Sequence, residues 1–152
     1  MRIRLDNVMD RNAISCVCDQ DVEQGQVLKL VGIADHLGAV SGECYQVIKS
    51  SCDFTEVSVV VAHDGHSYSD EEYNFADKAT IKAGKPFRAY ILCGYQVVTV
   101  EKEVCVESNL GVGRPINPNN DGKWEVGEMG IGIVLAETKL GDKDAVQILV
   151  VK

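Results

Sequence analysis

The sequence contains few aromatic residues: Phe, Trp and Tyr together make up 6% of its 152 residues. Much of any core must therefore come from Val, Ile and Leu, and residues that branch at Cβ favour pleated strands. Hydrophobic residues (45%) and charged residues (25%) stand in the proportion that is typical of globular proteins. Because this length suits one domain with one core, we expect a single β-rich domain spanning residues 1–152.

The chain also lacks a concentration of positive charge and any long apolar run. Its 15 Lys and Arg residues are scattered, and the net charge is −8. Extended contact with nucleic acid needs a basic stripe that neutralises phosphates, so we exclude it. Apolar stretches such as residues 131–136 are too short to span a membrane. Residues 1–12 alternate charged and apolar side chains, unlike a secretory signal, so we expect a soluble protein made in the cytoplasm.

Neither the spacing of the cysteines nor the expected reducing compartment favours disulfides, so we interpret most of them as free thiols. Cys16 and Cys18 form a C-x-C motif, which places both side chains on one face of a strand. A metal site there would need a second ligand pair at a suitable spacing, which the sequence does not supply. Cys93 and Cys105 lie within apolar stretches, where cysteine acts as a small hydrophobic residue. The full set is Cys16, Cys18, Cys44, Cys52, Cys93 and Cys105.

Short apolar segments separated by Gly, Asn and Asp predict many short strands, which is the pattern of a small β-barrel or sandwich. Within residues 95–106, Val98, Val100 and Val104 share one parity while Thr99 and Glu101 share the other. We therefore expect one buried face on that strand. The predicted strands cover residues 27–34, 57–62, 88–93, 95–106, 130–137 and 145–151, with weaker candidates at 14–18 and 43–48.

The polar loop at residues 139–144 carries Gly141 and predicts a hairpin between the last two strands. The final strand is apolar, so we expect it to lie within a sheet. The one helix signal is at residues 69–72, where Ser69 and Glu72 match a capping box. Residues 64–83 are expected to form a long excursion from the barrel, and the fold class is all-β with at most one short helix.

His63 and His66 form the only close histidine pair in the chain, directly after a predicted strand. Zinc binding by this pair is one interpretation, but no third ligand lies close in sequence, and the intervening Asp64 and Gly65 are typical of a turn. His63, Asp64 and Ser67 also match the residue types of a hydrolase triad. Because triad members normally come from separate elements, this clustering does not predict catalysis.

Residues 117–128 match the ligand order of a calcium-binding EF-hand loop. Oxygen-bearing side chains occupy the first, third and fifth places (Asn117, Asn119 and Asp121), Gly122 the sixth, and Glu128 the twelfth. The first place is not acidic, however, and the flanking residues include Pro and Gly where helices should run. The alternative is a polar turn that precedes the strand at residue 130.

Residues 109–115 and Trp124 are two further features, and neither matches a specific functional motif. Residues 109–115 contain two glycines but not the third that a dinucleotide-binding loop requires, so we interpret them as an ordinary loop. Trp124, between Lys123 and Glu125, is either a core residue or an exposed anchor for a protein interface.

The closing part of the chain resembles the head decoration, or cement, proteins of tailed phages. Residues 124–137 read W-E-V-G-E-M-G-I-G-I-V-L-A-E and lead through L-G-D-K at 140–143 into the apolar run 145–151. A G-x-V-L-E/A strand, a loop and a final apolar strand are the ending of that family, and residues 25–34 are similar in style. The resemblance implies a compact β-barrel or β-tulip that sits on the virion surface, often as a homotrimer, and stabilises the head against internal pressure.

If the resemblance holds, the partner is the major capsid protein, and neither an active site nor a cofactor is expected. The sequence departs from smaller family members in its cysteine content and in residues 64–83. The alternative function is a non-catalytic β-module that binds a carbohydrate or host receptor, with Tyr68, Tyr73 and Trp124 as stacking surfaces. A small enzyme would have to start from His63, Asp64 and His66.

Overall fold

The computed structural model describes residues 3–6, 12–34, 44–53, 55–64, 80–106 and 110–152, with only the backbone described at 63 and 64. These residues form thirteen strands and one 3-10 turn, Lys102–Val104. The predicted all-β class is confirmed, and one sheet closes into a barrel. The strands are β1 (Ile3–Asp6), β2 (Ala13–Cys18), β3 (Val22–Glu23), β4 (Val27–Ile33), β5 (Tyr45–Ile48), β6 (Ser58–Asp64), β7 (Thr80–Ile81), β8 (Phe87–Ile91), β9 (Val97–Glu101), β10 (Pro115–Pro118), β11 (Trp124–Val126), β12 (Gly132–Leu140) and β13 (Lys143–Val150).

One open sheet has six strands in the order β1-β9-β13-β12-β10-β11, with every neighbouring pair antiparallel. The predicted hairpin is confirmed: Leu140 pairs with Lys143, so Gly141 and Asp142 form a two-residue turn. Gly141 has φ +65°, a conformation that glycine adopts without steric cost. Strand β13 lies between β9 and β12, which confirms that the last strand is held within a sheet.

The barrel contains five strands in the closed order β2-β5-β4-β6-β8. Four of its pairings are antiparallel, and β2 with β5 is parallel. Bulges interrupt β4 against β5 between Leu30 and Gly32, and β6 against β8 between Val61 and His63. Bulges of this kind increase local twist and help a small sheet to close. Strands β3 and β7 form a separate two-stranded sheet beside the barrel.

The barrel and the open sheet share one hydrophobic cluster. It joins Val27 and Val60 of the barrel to Trp124, Val98 and Ile148 of the open sheet, all fully buried. A second cluster fills the barrel interior and contains Cys16, Cys18 and Phe87. The two cysteines therefore share a strand face, as the C-x-C spacing predicted.

Several predicted strands match the structure within a few residues, but residues 95–106 do not form one long strand. Strand β9 ends at Glu101, and the 3-10 turn follows. The expectation of one buried face was also wrong, because Thr99 (0% exposed) and Glu101 (2% exposed) are buried as well as the valines. Both faces of β9, which pairs with β1 and β13 at its two edges, are therefore buried. The predicted helix at 69–72 and most of the predicted excursion lie outside the described residues.

Candidate contact surfaces

The histidine pair is described only in part. His63 belongs to β6, where its backbone pairs with Arg88 of β8. His66, Ser67, Tyr68 and Tyr73 lie outside the described residues, so the structure does not show whether His63 and His66 converge. Across the part of the chain that is described, no group of three or more His, Cys, Asp or Glu side chains is placed to hold a metal ion.

The segment that resembles a calcium loop folds as a β-hairpin. Asn117 belongs to β10, and Glu128 lies beyond the end of β11. The Asn117 Oδ1 atom accepts a hydrogen bond from the Ile131 backbone N–H (3.3 Å), and its Nδ2 donates to the Cys52 carbonyl (2.8 Å). The Asn119 Oδ1 atom accepts from the N–H groups of Asp121 (2.9 Å) and Lys123 (3.0 Å). Both amide oxygens therefore stabilise the backbone of a polar turn, whose tight bend has Gly122 at φ +77°.

Trp124 is a core residue. Its side chain is 0% exposed, and its indole Nε1–H donates to the Gly25 carbonyl at 3.1 Å. A buried indole of this kind contributes apolar area and satisfies its own polar group. The interpretation of Trp124 as an exposed anchor or a stacking surface was therefore wrong. The alternation of Lys123, Trp124 and Glu125 was the available signal, since it is the pattern of a strand with one buried face.

All six cysteines are free, as expected. Five of them are buried, but Cys93 is exposed, which corrects its interpretation as a packed hydrophobic residue. Burial raises the pKa of the Cys16 thiol to about 12, with a further contribution from nearby Cys44. Burial also raises the pKa values of the thiols of Cys18, Cys44 and Cys52. These thiols stay protonated in the fold and are poor nucleophiles.

Strands β4 and β5 carry an exposed aliphatic surface on the outside of the barrel. Val31 is 47% exposed, Ile33 50% and Ile48 38%. The two strands are hydrogen-bonded neighbours, with Ile33 opposite Tyr45 and Ile48 opposite Lys29. Directly opposed residues share a side of the pair, so Ile33 lies on the side of Tyr45, which packs against the barrel interior, whereas Ile48 lies with Lys29 on the outer side. Val31 is the extra residue of the bulge beside Gly32. We call Val31 and Ile48 the β4–β5 face. β-Branched residues are among the most often buried, and their grouping on the surface is characteristic of a contact site.

The turn between β8 and β9 presents the most exposed aromatic side chain among the described residues. Tyr95 is 84% exposed and has φ +70°, the only positive φ of a described residue other than glycine. A left-handed backbone is disfavoured for tyrosine, which has a bulky side chain. The sequence pattern missed this feature because Tyr95 was assigned to the strand predicted for residues 95–106.

Lys152 connects the end of the open sheet to the barrel. Its Nζ donates to the Asp53 carbonyl (3.2 Å) and to the Ser58 hydroxyl oxygen (3.3 Å). Desolvation lowers the pKa of the Lys152 ammonium, although nearby Cys52, Asp53 and Glu56 oppose the shift. An ion pair between Lys29 and Glu56 lies on the same side of the barrel; it lowers the pKa of Glu56 and raises that of Lys29. These contacts place polar groups along the neighbouring strands β4 and β6.

The opposite end of the open sheet is charged. Lys102 contacts Glu137 at 3.1 Å, and Lys143 contacts Glu103 at 3.8 Å. Exposed pairs of this kind contribute little to stability, with a median of about 0–1 kcal/mol. This end of the open sheet is therefore hydrated and carries both signs of charge, unlike the apolar β4–β5 face.

Comparison of the chain with protein-family models and with curated proteins finds no match. No helix within the described ranges is long and apolar enough to cross a membrane. Three surface features thus stand out: the exposed β4–β5 face, the turn that carries Tyr95, and a depression of about 380 Å³ beside the β10–β11 hairpin.

Proposed function

We propose that this protein is a structural component of a tailed-phage virion, which binds the outer surface of the capsid lattice and stabilises the head. The observation that carries the proposal is the β4–β5 face, where the aliphatic side chains of Val31 and Ile48 are exposed on adjacent strands of a closed barrel. The resemblance of residues 124–151 to the ending of head decoration proteins supports the same function.

The barrel that carries the β4–β5 face is rigid. A closed barrel has no free strand edges, so the β4–β5 face is held in one shape before any partner binds. A preformed surface loses little conformational entropy on binding, which favours affinity from a small area. Val31 and Ile48 contribute apolar area to such a contact, while the neighbouring Lys29–Glu56 pair gives it a polar rim.

Repetition strengthens a contact of this kind. A capsid lattice offers many equivalent sites, and each bound copy removes apolar surface from water at a symmetric position. The net charge of −8 opposes non-specific aggregation of unbound protein. The expected partner is the major capsid protein, whose lattice supplies the equivalent sites.

The test is cosedimentation of the purified chain with empty capsids of the source phage that lack this protein. We expect saturable binding and a higher temperature of capsid rupture. The double variant Val31→Glu/Ile48→Glu places two charges on the β4–β5 face and is expected to weaken binding by at least about 10-fold, since burying unpaired charge costs more than 1.4 kcal/mol.

Val112→Glu is the matched control, because Val112 is 67% exposed and lies in the loop before β10. It adds one such charge outside the β4–β5 face and should leave binding unchanged. Thermal melts of all variants establish that they remain folded. A wild-type chain that does not sediment with capsids would contradict the function, whereas full binding by the double variant would exclude only the assigned face.

A further inference from the structure

The Tyr95 turn, residues 93–96, holds an aromatic side chain rigidly in solvent. The buried side chain of Gln96 fixes it from within: its Oε1 accepts from the Cys93 N–H (2.9 Å), and its Nε2 donates to the Ile91 carbonyl (3.2 Å). The Tyr95 N–H donates to the Val150 carbonyl at 2.8 Å. The turn is therefore attached to both β8 and β13, and its conformation does not depend on the tyrosine ring.

The backbone of Lys152 also lies against the Tyr95 turn. A Cβ atom on Gly94 would lie 3.0 Å from the Lys152 carbonyl oxygen, so position 94 has little space for a side chain. At position 95 the backbone is left-handed, and glycine would adopt that conformation without strain. The fold thus gains nothing locally from tyrosine at this position, which indicates that the exposed ring serves a contact outside its own chain.

A depression of about 380 Å³ lies beside the β10–β11 hairpin. Its lining is mainly polar and includes Asn120 and Glu125, while Pro118, Val126 and Met129 supply the apolar part. Methionine sulfur makes favourable contacts with aromatic rings, and carboxylate or amide oxygens accept hydrogen bonds from a phenol. The lining therefore matches the two chemical halves of a tyrosine side chain. We call this site the hairpin depression.

The Tyr95 turn and the hairpin depression occur at the same end of the open sheet. Tyr95 bonds to Val150 of β13, the Val151 N–H bonds to the Ile131 carbonyl, and the Ile131 N–H bonds to Asn117 of β10. Three strand spacings, roughly 14 Å, separate β9 from β10. The two features are thus side by side on one molecule, and the 84% exposure of Tyr95 shows that its ring lies outside the depression of its own chain.

We infer that the Tyr95 side chain of one copy inserts into the hairpin depression of a second copy. The contact is heterologous, because one surface supplies the side chain and a different surface receives it. Repetition of such a contact closes into a ring when the rotation between copies permits it. Tyrosine is enriched among residues that dominate binding energy, and a preorganised turn reduces the entropy lost on association. This inference is independent of the capsid contact, which uses the β4–β5 face.

Sedimentation velocity and native mass spectrometry over a concentration series test the inference. We expect the wild-type chain to self-associate, and Tyr95→Ala to weaken that association by about 30-fold or more, the loss of an interface hot spot. Tyr95→Gly relieves the left-handed strain, so it should melt no lower than wild type and still lose association. Val112→Ala removes another exposed apolar side chain and should associate normally.

A mixing experiment tests the head-to-tail arrangement. Met129→Glu places a charge at the depression and leaves Tyr95 intact; Met129 is 76% exposed, so the fold should tolerate it. Each variant alone is expected to be monomeric, but Tyr95→Gly mixed with Met129→Glu retains one intact contact and should form a one-to-one dimer and nothing larger. A monomeric wild type, normal association of either variant, or a mixture that forms no dimer would each overturn the inference.

Discussion

At Gly130 the segment that crosses from β11 to β12 passes directly over the backbone of Ile116. A Cβ atom at this position would lie 2.3 Å from the Ile116 carbonyl oxygen and 2.6 Å from its carbonyl carbon. Backbone atoms cannot rotate away as a side chain does, so any larger residue must displace β10 or the crossing segment. The sequence predicted only that a strand begins at Gly130, because a close approach between separate segments leaves no local pattern.

Gly130→Ala is expected to lower the free energy of unfolding by about 3 kcal/mol, the upper range for an overpacked interior. Trp124 is the only tryptophan and is fully buried, so its fluorescence follows urea denaturation. Gly32→Ala is the matched control, since a Cβ there meets nothing within 4 Å. The control should change stability by less than about 0.5 kcal/mol. Equal effects of the two substitutions would contradict the close contact at Gly130.

At the scale of elements, the β10–β11 hairpin is attached to the barrel through amide side chains. Asn117 donates to the Cys52 carbonyl (2.8 Å), and the Asn120 Oδ1 accepts from the Ser51 N–H (3.3 Å). The Asn117 Oδ1 also holds the Ile131 N–H. One side chain thus joins the loop before β6, the strand β10 and the entry to β12.

Asn117→Ala should destabilise the protein by about 1–3 kcal/mol, because it leaves partly buried backbone groups without their hydrogen-bond partner. The specific measurement is amide hydrogen exchange. The Ile131 N–H is expected to exchange faster in the variant, while N–H groups in the centre of β13 keep their protection. Asn120→Ala, which removes the more exposed amide, serves as the control. Unchanged exchange at Ile131 would contradict the role of Asn117.

Strands with a regular apolar pattern could be predicted from the sequence. Strands that form because a distant segment pairs with them could not. The patterns at residues 27–34, 57–62 and 145–151 correspond to β4, β6 and β13 because hydrophobic periodicity is a local property. Strands β1, β10 and β11 were missed: they are short, and β10 has proline at both ends. The parallel pairing of β2 with β5 also has no local signature.

The candidate surfaces were harder still to predict. Every residue type in the run at 27–34 except Lys29 and Gly32 is apolar, so the sequence cannot show that Val31 and Ile33 are exposed while Leu28 is buried. Barrel closure decides which side of each strand faces inward. The interpretation of residues 117–122 as a turn was nearer to the structure because turn chemistry is local.

At the scale of the whole molecule, buried thiols make stability depend on alkaline pH. In the unfolded chain the Cys16 thiol loses its proton near pH 9, whereas in the fold its pKa is about 12. Between these values the folded state binds more protons than the unfolded state, so stability falls as the pH rises. Between these two pKa values the Cys16 thiol alone lowers the free energy of unfolding by about 1.4 kcal/mol per pH unit. Lys152 acts in the opposite direction, because its pKa is lowered in the fold.

Stability should therefore be nearly constant from pH 7 to 8 and decline above pH 9. Urea unfolding at intervals between pH 8 and 10.5 measures the slope. Cys16→Ala is expected to reduce that slope by about 1.4 kcal/mol per pH unit. A Cys16→Ala slope equal to that of the wild type would contradict the assignment to this buried thiol.

Among the described strands, β1 pairs with β9 alone, a strand far later in the chain. During synthesis, at about 5–20 residues per second, several seconds pass between the emergence of Ile3 and Leu5 and that of their partner strand Val97–Glu101. Arg4 and Asp6 alternate with them, and charged residues at these places discourage a nascent strand from pairing with a neighbouring chain. The charges of β1 thus act during synthesis: they disfavour pairing with other chains before β9 is available.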